Sequence, residues 1–326
     1  MLAVLVAGVP ALAGCASGDE GGEAREARAA PRQTSVLPAC AASGSPRPSW
    51  SASFAGGTFG EWSSWQRGDG GTYFVTTPAA ARLPELPECV GPQVAQFGVD
   101  REQARTGNIH SKLYKAWDVG SSRRTDDADR PFARMQPGGE GGVYSAWYYI
   151  PRNYRMRASS NVNIFQFKED YKDSRGGFHS DVQSCLSLWN ARTLKSWGDV
   201  RRPQAYDFGG RWDRPLLAVS LWHRPRVRPL PGHQRVAVPA PLGRWFNVAA
   251  VLRPGERVTY WIDGRRLDTW QQREYPVGVR YRTALGWTFG IGHYGSNVGR
   301  LWAAGASFTP FTAIDATASE HGDALR

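Results

Sequence analysis

Two short stretches hold the side chains with the widest chemical scope. In "NVNIFQFKED" (161–170), Gln166 and Lys168 stand two apart. Side chains two apart on a β-strand share a face, so Gln166 and Lys168 are expected beside Ile164 and Asp170, with Asn163, Phe165, Phe167 and Glu169 opposite. If the two Phe face a core, the Gln–Lys face lines a groove where an amide and an ammonium can meet an anion. His179 follows in "SRGGFHSD" (174–181), expected as a loop, and His293, Tyr294 and Asn297 lie in "FGIGHYGSN" (289–297). Hydrolysis of a sugar linkage takes two carboxyl groups facing each other across the ring. The pattern Glu-x-Asp-x-x-Glu is absent, and Glu169, Asp170 and Asp173 fall where the strand is expected to run into the polar loop "DYKDSRGG". Elimination next to a sugar carboxylate needs other types. Lys, Arg, Gln, Asn or His neutralises the carboxylate and so acidifies the adjacent C–H; Tyr or His takes that proton; Tyr commonly protonates the departing oxygen. Those types are the ones present.

Their positioning falls to strands. No long segment sustains a helical period, while short alternating or aromatic runs recur between Gly, Pro and Asp clusters. They are "GTYFVTT" (71–77), "GVYSAWYYIP" (142–151), 161–170, "SCLSLWNART" (184–193), "PLLAVSLWHRP" (215–225), "QRVAVPAP" (234–241), "RWFNVAAVLRP" (244–254), "ERVTYWIDGRRLDTW" (256–270), "WTFGIGHYG" (287–295) and "RLWAAGASFTPF" (300–311). Asp263-Gly264 between β-rich arms predicts a tight hairpin, and Pro254-Gly255 a second turn. The pattern is that of an all-β sandwich or barrel of antiparallel strands.

The chain has 326 residues with 40 Lys and Arg against 29 Asp and Glu, a formal charge of +11. The apolar run Leu2–Ala13 ends in Leu12-Ala13-Gly14-Cys15 and reads as a signal segment too short to span a bilayer. Residues 16–50 read as a flexible tether, 51–312 as one domain, and 313–326 as a frayed tail. A basic surface suits a polyanion, and export makes an anionic polysaccharide, not nucleic acid, the expected partner. Beyond Cys15, Cys40 and Cys89 can pair in an oxidising compartment, which leaves Cys185 odd.

Leu12–Cys15 resembles the lipobox of bacterial lipoproteins, which implies lipidation at Cys15 and contact with a membrane through that anchor alone. The ordered landmarks "YSAWYYIPRNY", "NIFQFK", "GRWFNVAAVL" with "VTYWIDGRRL", and "FGIGHYGSN" resemble the concanavalin-like jelly-roll polysaccharide lyases of the heparin lyase I and glucuronan lyase type. The resemblance implies a jelly roll that cleaves a uronic-acid polymer by β-elimination. Gly292-His293-Tyr294 matches the family's Gly-x-Tyr, which makes Tyr294 the catalytic tyrosine. Gln166-Phe167-Lys168 stands at the Gln-x-His element with Lys for His, so Gln166 and Lys168 neutralise the carboxylate, assisted by His179. The family's Lys before Gly-x-Tyr is replaced by Gly290. Its Arg-x-Glu-Leu element corresponds to "NIHSKLYK", which offers His110 and Lys112, with Arg105 upstream. Substrate contacts are expected from Arg105, His110, Lys112, His293, Asn297 and Trp189. The same fold also hosts non-catalytic carbohydrate-binding modules, the alternative reading.

Trp147, Trp245 and Trp261 lie in strand patterns and are expected in the core. Trp189, Trp197 and Trp222 lie near strand ends, where a ring can stack on a sugar. No cofactor is required by these residues. A structural calcium ion is the one metal to consider, and the acidic stretch 125–129 reads more simply as a solvated turn. A monomer is expected.

Overall fold

A computed structural model describes residues 48–67, 71–100, 110–118, 141–157, 160–172, 175, 178–190, 214–223, 228–229, 237–253, 257–267, 284–295 and 297–311. All of them belong to one compact unit, Thr34–Arg326. The strands are β1 (Trp50–Ala52), β2 (Ser64–Arg67), β3 (Gly71–Thr76), β4 (Val94–Val99), β5 (His110–Asp118), β6 (Gly142–Tyr149), β7 (Asn161–Lys172) and β8 (Phe178–Asn190). They continue with β9 (Pro215–His223), β10 (Arg228–Pro229), β11 (Ala237–Pro239), β12 (Trp245–Arg253), β13 (Arg257–Ile262), β14 (Arg265–Leu267), β15 (Ala284–Tyr294) and β16 (Gly299–Pro310).

One sheet runs β14-β13-β12-β6-β16-β4-β3 with β1 on β16; the other runs β10-β9-β8-β7-β15-β5-β2 with β11 on β9. Every strand pairing is antiparallel. The sheets pack face to face, as the concanavalin-like sandwich predicts. Tyr144 of the first sheet meets Phe167 at 4.9 Å and Phe289 at 5.3 Å between ring centroids, and Tyr260 meets Phe165 at 6.0 Å. Each such pair contributes about 0.5–1.5 kcal/mol beyond its buried area. Two buried phenols also cross the core. Tyr148 donates to the Ile164 carbonyl at 2.8 Å, and Tyr260 shares a hydrogen bond with Ser184 at 2.9 Å.

Asp263 and Gly264 form the expected turn between β13 and β14, both with positive φ (48° and 72°), the geometry a two-residue hairpin favours. Asp263 is further held by the Asn247 N–H at 2.9 Å and by Arg244 at 2.7 Å. Three expectations need correction. Trp147, Trp245 and Trp261 are not between the sheets: they lie on the first sheet's other face, in small clusters with Leu83, Leu86 and Val251. Parity explains this, because Phe246 and Val248 of β12 take the core positions. The stretch after Lys168 does not leave the sheet either. β7 continues to Lys172, paired with Phe178 of β8, and His179 is a strand position opposite Tyr171 instead of a loop residue. Cys89 is disulfide-bonded and Cys185 is a buried thiol with its Sγ 3.3 Å from Ser187 Oγ; Cys40 lies outside the described residues.

Candidate active site

The side chains with chemical scope gather on the outer face of the second sheet, where β5, β15 and β7 lie side by side. On β5 the alternation His110, Ser111, Lys112, Leu113, Tyr114 sends Leu113 into the core. His110, Lys112 and Tyr114 therefore share the other face. On β7 strict alternation fails. Ile164, Phe165 and Phe167 all enter the core, and the pairing with β8 shifts register between Asn163 and Phe165. That bulge carries one extra residue. It leaves Asn163 on the outer face, where its Oδ1 accepts from Ser187 at 2.7 Å, and moves Ile164 inward, the reverse of both expectations. Beyond the bulge Gln166 and Lys168 face outward as expected.

Between these strands β15 contributes two glycines and a tyrosine. Gly290 is paired with Tyr114 on one side and Gln166 on the other. A Cβ there would lie 2.7 Å from Tyr114 Cε1 and 3.2 Å from Gln166 Cγ, so the missing side chain is what lets the Tyr114 ring lean across the strand. Gly292 has φ +140°, and a Cβ would run into the Ser111 carbonyl. Ile291 enters the core, so by alternation His293 faces inward as well and Tyr294 outward. Tyr294 is half-buried in the cluster, whereas His293 is fully buried.

The cluster centres on Tyr114. Its Oη accepts from Lys112 Nζ at 2.8 Å and from Gln166 Nε2 at 2.9 Å. Lys168 Nζ stands 4.6 Å from the centroid of the Tyr114 ring, and Lys112 Nζ 3.4 Å from that of Tyr294. The His110 ring is 5.8 Å from the Tyr294 ring. Electrostatics follow from burial and like charge. Burial first and Lys168 second push the Lys112 ammonium well below its usual range. Burial, then Lys112 and Lys168, lower His110 to about 4, so at neutral pH its imidazole is uncharged and can accept a proton. Among the described residues no carboxylate contacts Lys112 and none joins the cluster. A buried cation site of this kind is suited to an incoming anion.

Other expected site residues fall elsewhere. His293 has its Nε2 3.2 Å from the Tyr154 hydroxyl, and burial lowers it to about 4. It is a core histidine, not a substrate contact. Asn297 is buried as well. It accepts from the Arg157 N–H and Ser160 and donates to the carbonyls of Arg155 and Val298, which pins the segment before β7. Trp189 is 1% exposed, so its ring does not offer a stacking face. Of His179 and Trp222 only the strand positions are described, and Arg105, Trp197, Cys15 and the acidic stretch 125–129 lie outside the described residues. Tyr114 is the residue that sequence reasoning passed over. Its signal was the two-residue step from His110 through Lys112 in "HSKLYK".

No family model matches the chain, and no curated protein does. Solved structures similar to it include an endo-β-1,4-glucuronan lyase from the fungus Trichoderma reesei, at 16% identity over 82% of this chain and 98% of that one, with a TM-score of 0.49. The cellulose-induced protein Cip1 aligns at 13% identity over 79% and 96%, TM-score 0.41. The alginate lyase AlyC3 in complex with dimannuronate aligns at 10% identity over 67% and 74%, TM-score 0.39.

Proposed function

We propose that the protein is a polysaccharide lyase that cleaves a uronic-acid-containing polymer by β-elimination. The observation that carries the reading is the convergence of Lys112, Lys168 and Gln166 with Tyr294, Tyr114 and His110 on one sheet face. The arriving carboxylate favours the protonated form of both lysine amines, and these with the Gln166 amide neutralise it and stabilise the charge that builds on it when the C5 proton leaves. The Tyr294 oxygen takes that proton as its own hydroxyl proton passes to the neutral His110. The C5–H electron pair becomes the C4=C5 double bond, the C4–O bond breaks, and the departing oxygen receives a proton from Tyr294, which His110 then reprotonates.

The test is ultraviolet absorbance of the conjugated double bond when the purified domain meets glucuronan, alginate, heparin or hyaluronan. A rise with one of them supports the lyase. A flat trace alongside salt-sensitive binding establishes a non-catalytic carbohydrate-binding module instead. We further propose that the chain is exported and lipidated at Cys15. The support is the apolar run that ends in Leu-Ala-Gly-Cys, and failure of Cys15→Ala to alter labelling by radioactive palmitate would overturn it.

A further inference from the structure

We propose that Tyr114 is a positioning residue whose hydroxyl holds Lys112 and Gln166 as one unit for recognising the sugar carboxylate. The inference rests on the proposed site but assigns a role to a side chain that does not itself carry the chemistry. Three observations support it. Lys112 and Gln166 come from β5 and β7, which are not hydrogen-bonded to each other but flank β15. The Tyr114 hydroxyl links them, at 2.8 and 2.9 Å. Both side chains are nearly inaccessible, Lys112 4% and Gln166 3% exposed, so neither has water to set its direction. Lys112 is flexible along its four-carbon stem, and a long cation without a fixed acceptor samples several rotamers. The Tyr114 ring supplies that acceptor and is 1% exposed itself.

The crossing also needs a gap in β15, and Gly290 is that gap. Tyr114 Cε1 and Cδ1 pass 2.7 and 2.8 Å from where a Cβ would stand. Lys112 Nζ lies between the two tyrosine rings, 5.4 Å from the centroid of Tyr114 and 3.4 Å from that of Tyr294. A uronate whose carboxylate met this unit would have one amine and one amide donor fixed in direction before it arrived, which is what preorganisation requires.

The test is Tyr114→Phe, which removes one oxygen and keeps the ring. Two readouts are taken: turnover of the uronate polymer, and calorimetric affinity for a short oligouronate and for the same oligosaccharide with its carboxyl groups reduced to alcohols. The expected result is a loss of about 10- to 100-fold in kcat/KM and in oligouronate affinity, the scale of hydrogen bonds that involve a charged group, with affinity for the reduced sugar unchanged. A merely structural role would weaken both sugars alike and lower the melting temperature. Unchanged oligouronate affinity in Tyr114→Phe, or no oligouronate binding by the native protein, overturns the inference. A flat absorbance trace with Tyr114-dependent uronate binding removes the lyase reading and leaves this one standing.

Discussion

Gly290→Ala isolates the geometry of the site with a single methyl group. The new Cβ would stand 2.7 and 2.8 Å from Tyr114 Cε1 and Cδ1 and 3.2 Å from Gln166 Cγ. Carbon atoms in ordinary contact are about 3.5–4.0 Å apart, so the Tyr114 ring must retreat by roughly 1 Å. The hydroxyl at its far end then leaves Lys112 and Gln166, whose bonds of 2.8 and 2.9 Å tolerate little stretching. Gly290 has no positive φ, so the strand itself accepts alanine and the whole effect passes through the ring. Overpacking of this kind costs about 1–3 kcal/mol of stability. If the held lysine acts in the transition state, a further loss of about 10- to 100-fold in kcat follows. The assay is thermal unfolding together with turnover per folded molecule. Gly98→Ala is the control: its Cβ meets Thr72 Oγ1 at 2.7 Å and Arg300 Cγ at 3.1 Å, on the outer face of the other sheet, and turnover should be kept. A Gly290→Ala protein with native turnover would refute the reasoning.

Lys168→Ala should lower kcat by about 100-fold or more, the usual cost of losing one preorganised charge at a developing anion, with the melting temperature little changed because the side chain is half-buried. The protein should also lose stability in acid. Burial lowers His293 to about 4 against 6.5 when unfolded. Above pH 6.5 both states hold a neutral ring, and as pH falls from there the unfolded chain takes up the proton first, so stability declines until about pH 4 and then levels. A shift of that size corresponds to about 3 kcal/mol. Urea unfolding of native protein and His293→Gln at pH 7 and pH 4.5 measures it, and equal pH dependence in the two would contradict the assignment.

The sandwich was legible because its strands bury one face and alternate. "RWFNVAAVL" and "VTYWIDGRRL" fold as expected, down to the Asp263-Gly264 turn. Strands β1, β2, β4, β5 and the short β10 were not anticipated. β4 ("VAQFGV") is buried on both faces and so does not alternate. In β5 the site face carries Lys112, a residue type that normally signals solvent, yet it is buried against tyrosines. The Gln166–Lys168 face was readable from Phe165 and Phe167, both of which enter the core. Asn163 and Ile164 were assigned to the wrong faces because a bulge changes parity, and nothing in the strand's own composition announces it. His293 and Tyr294 are adjacent in sequence and so face opposite sides of β15, which is why one motif yields a core residue and a site residue. The role of Tyr114 depends on three strands and a glycine distant in sequence, which pairwise spacing along one strand cannot display.

Tyr294→Phe on the same absorbance assay tests the central claim most directly. The Tyr294 hydroxyl makes no hydrogen bond to the described residues, and its ring keeps the contacts with Lys112 and His110 when the oxygen is removed. The substitution should therefore leave folding and oligouronate affinity intact while the absorbance rise on the best uronate polymer disappears. A native-rate rise from Tyr294→Phe would contradict the account.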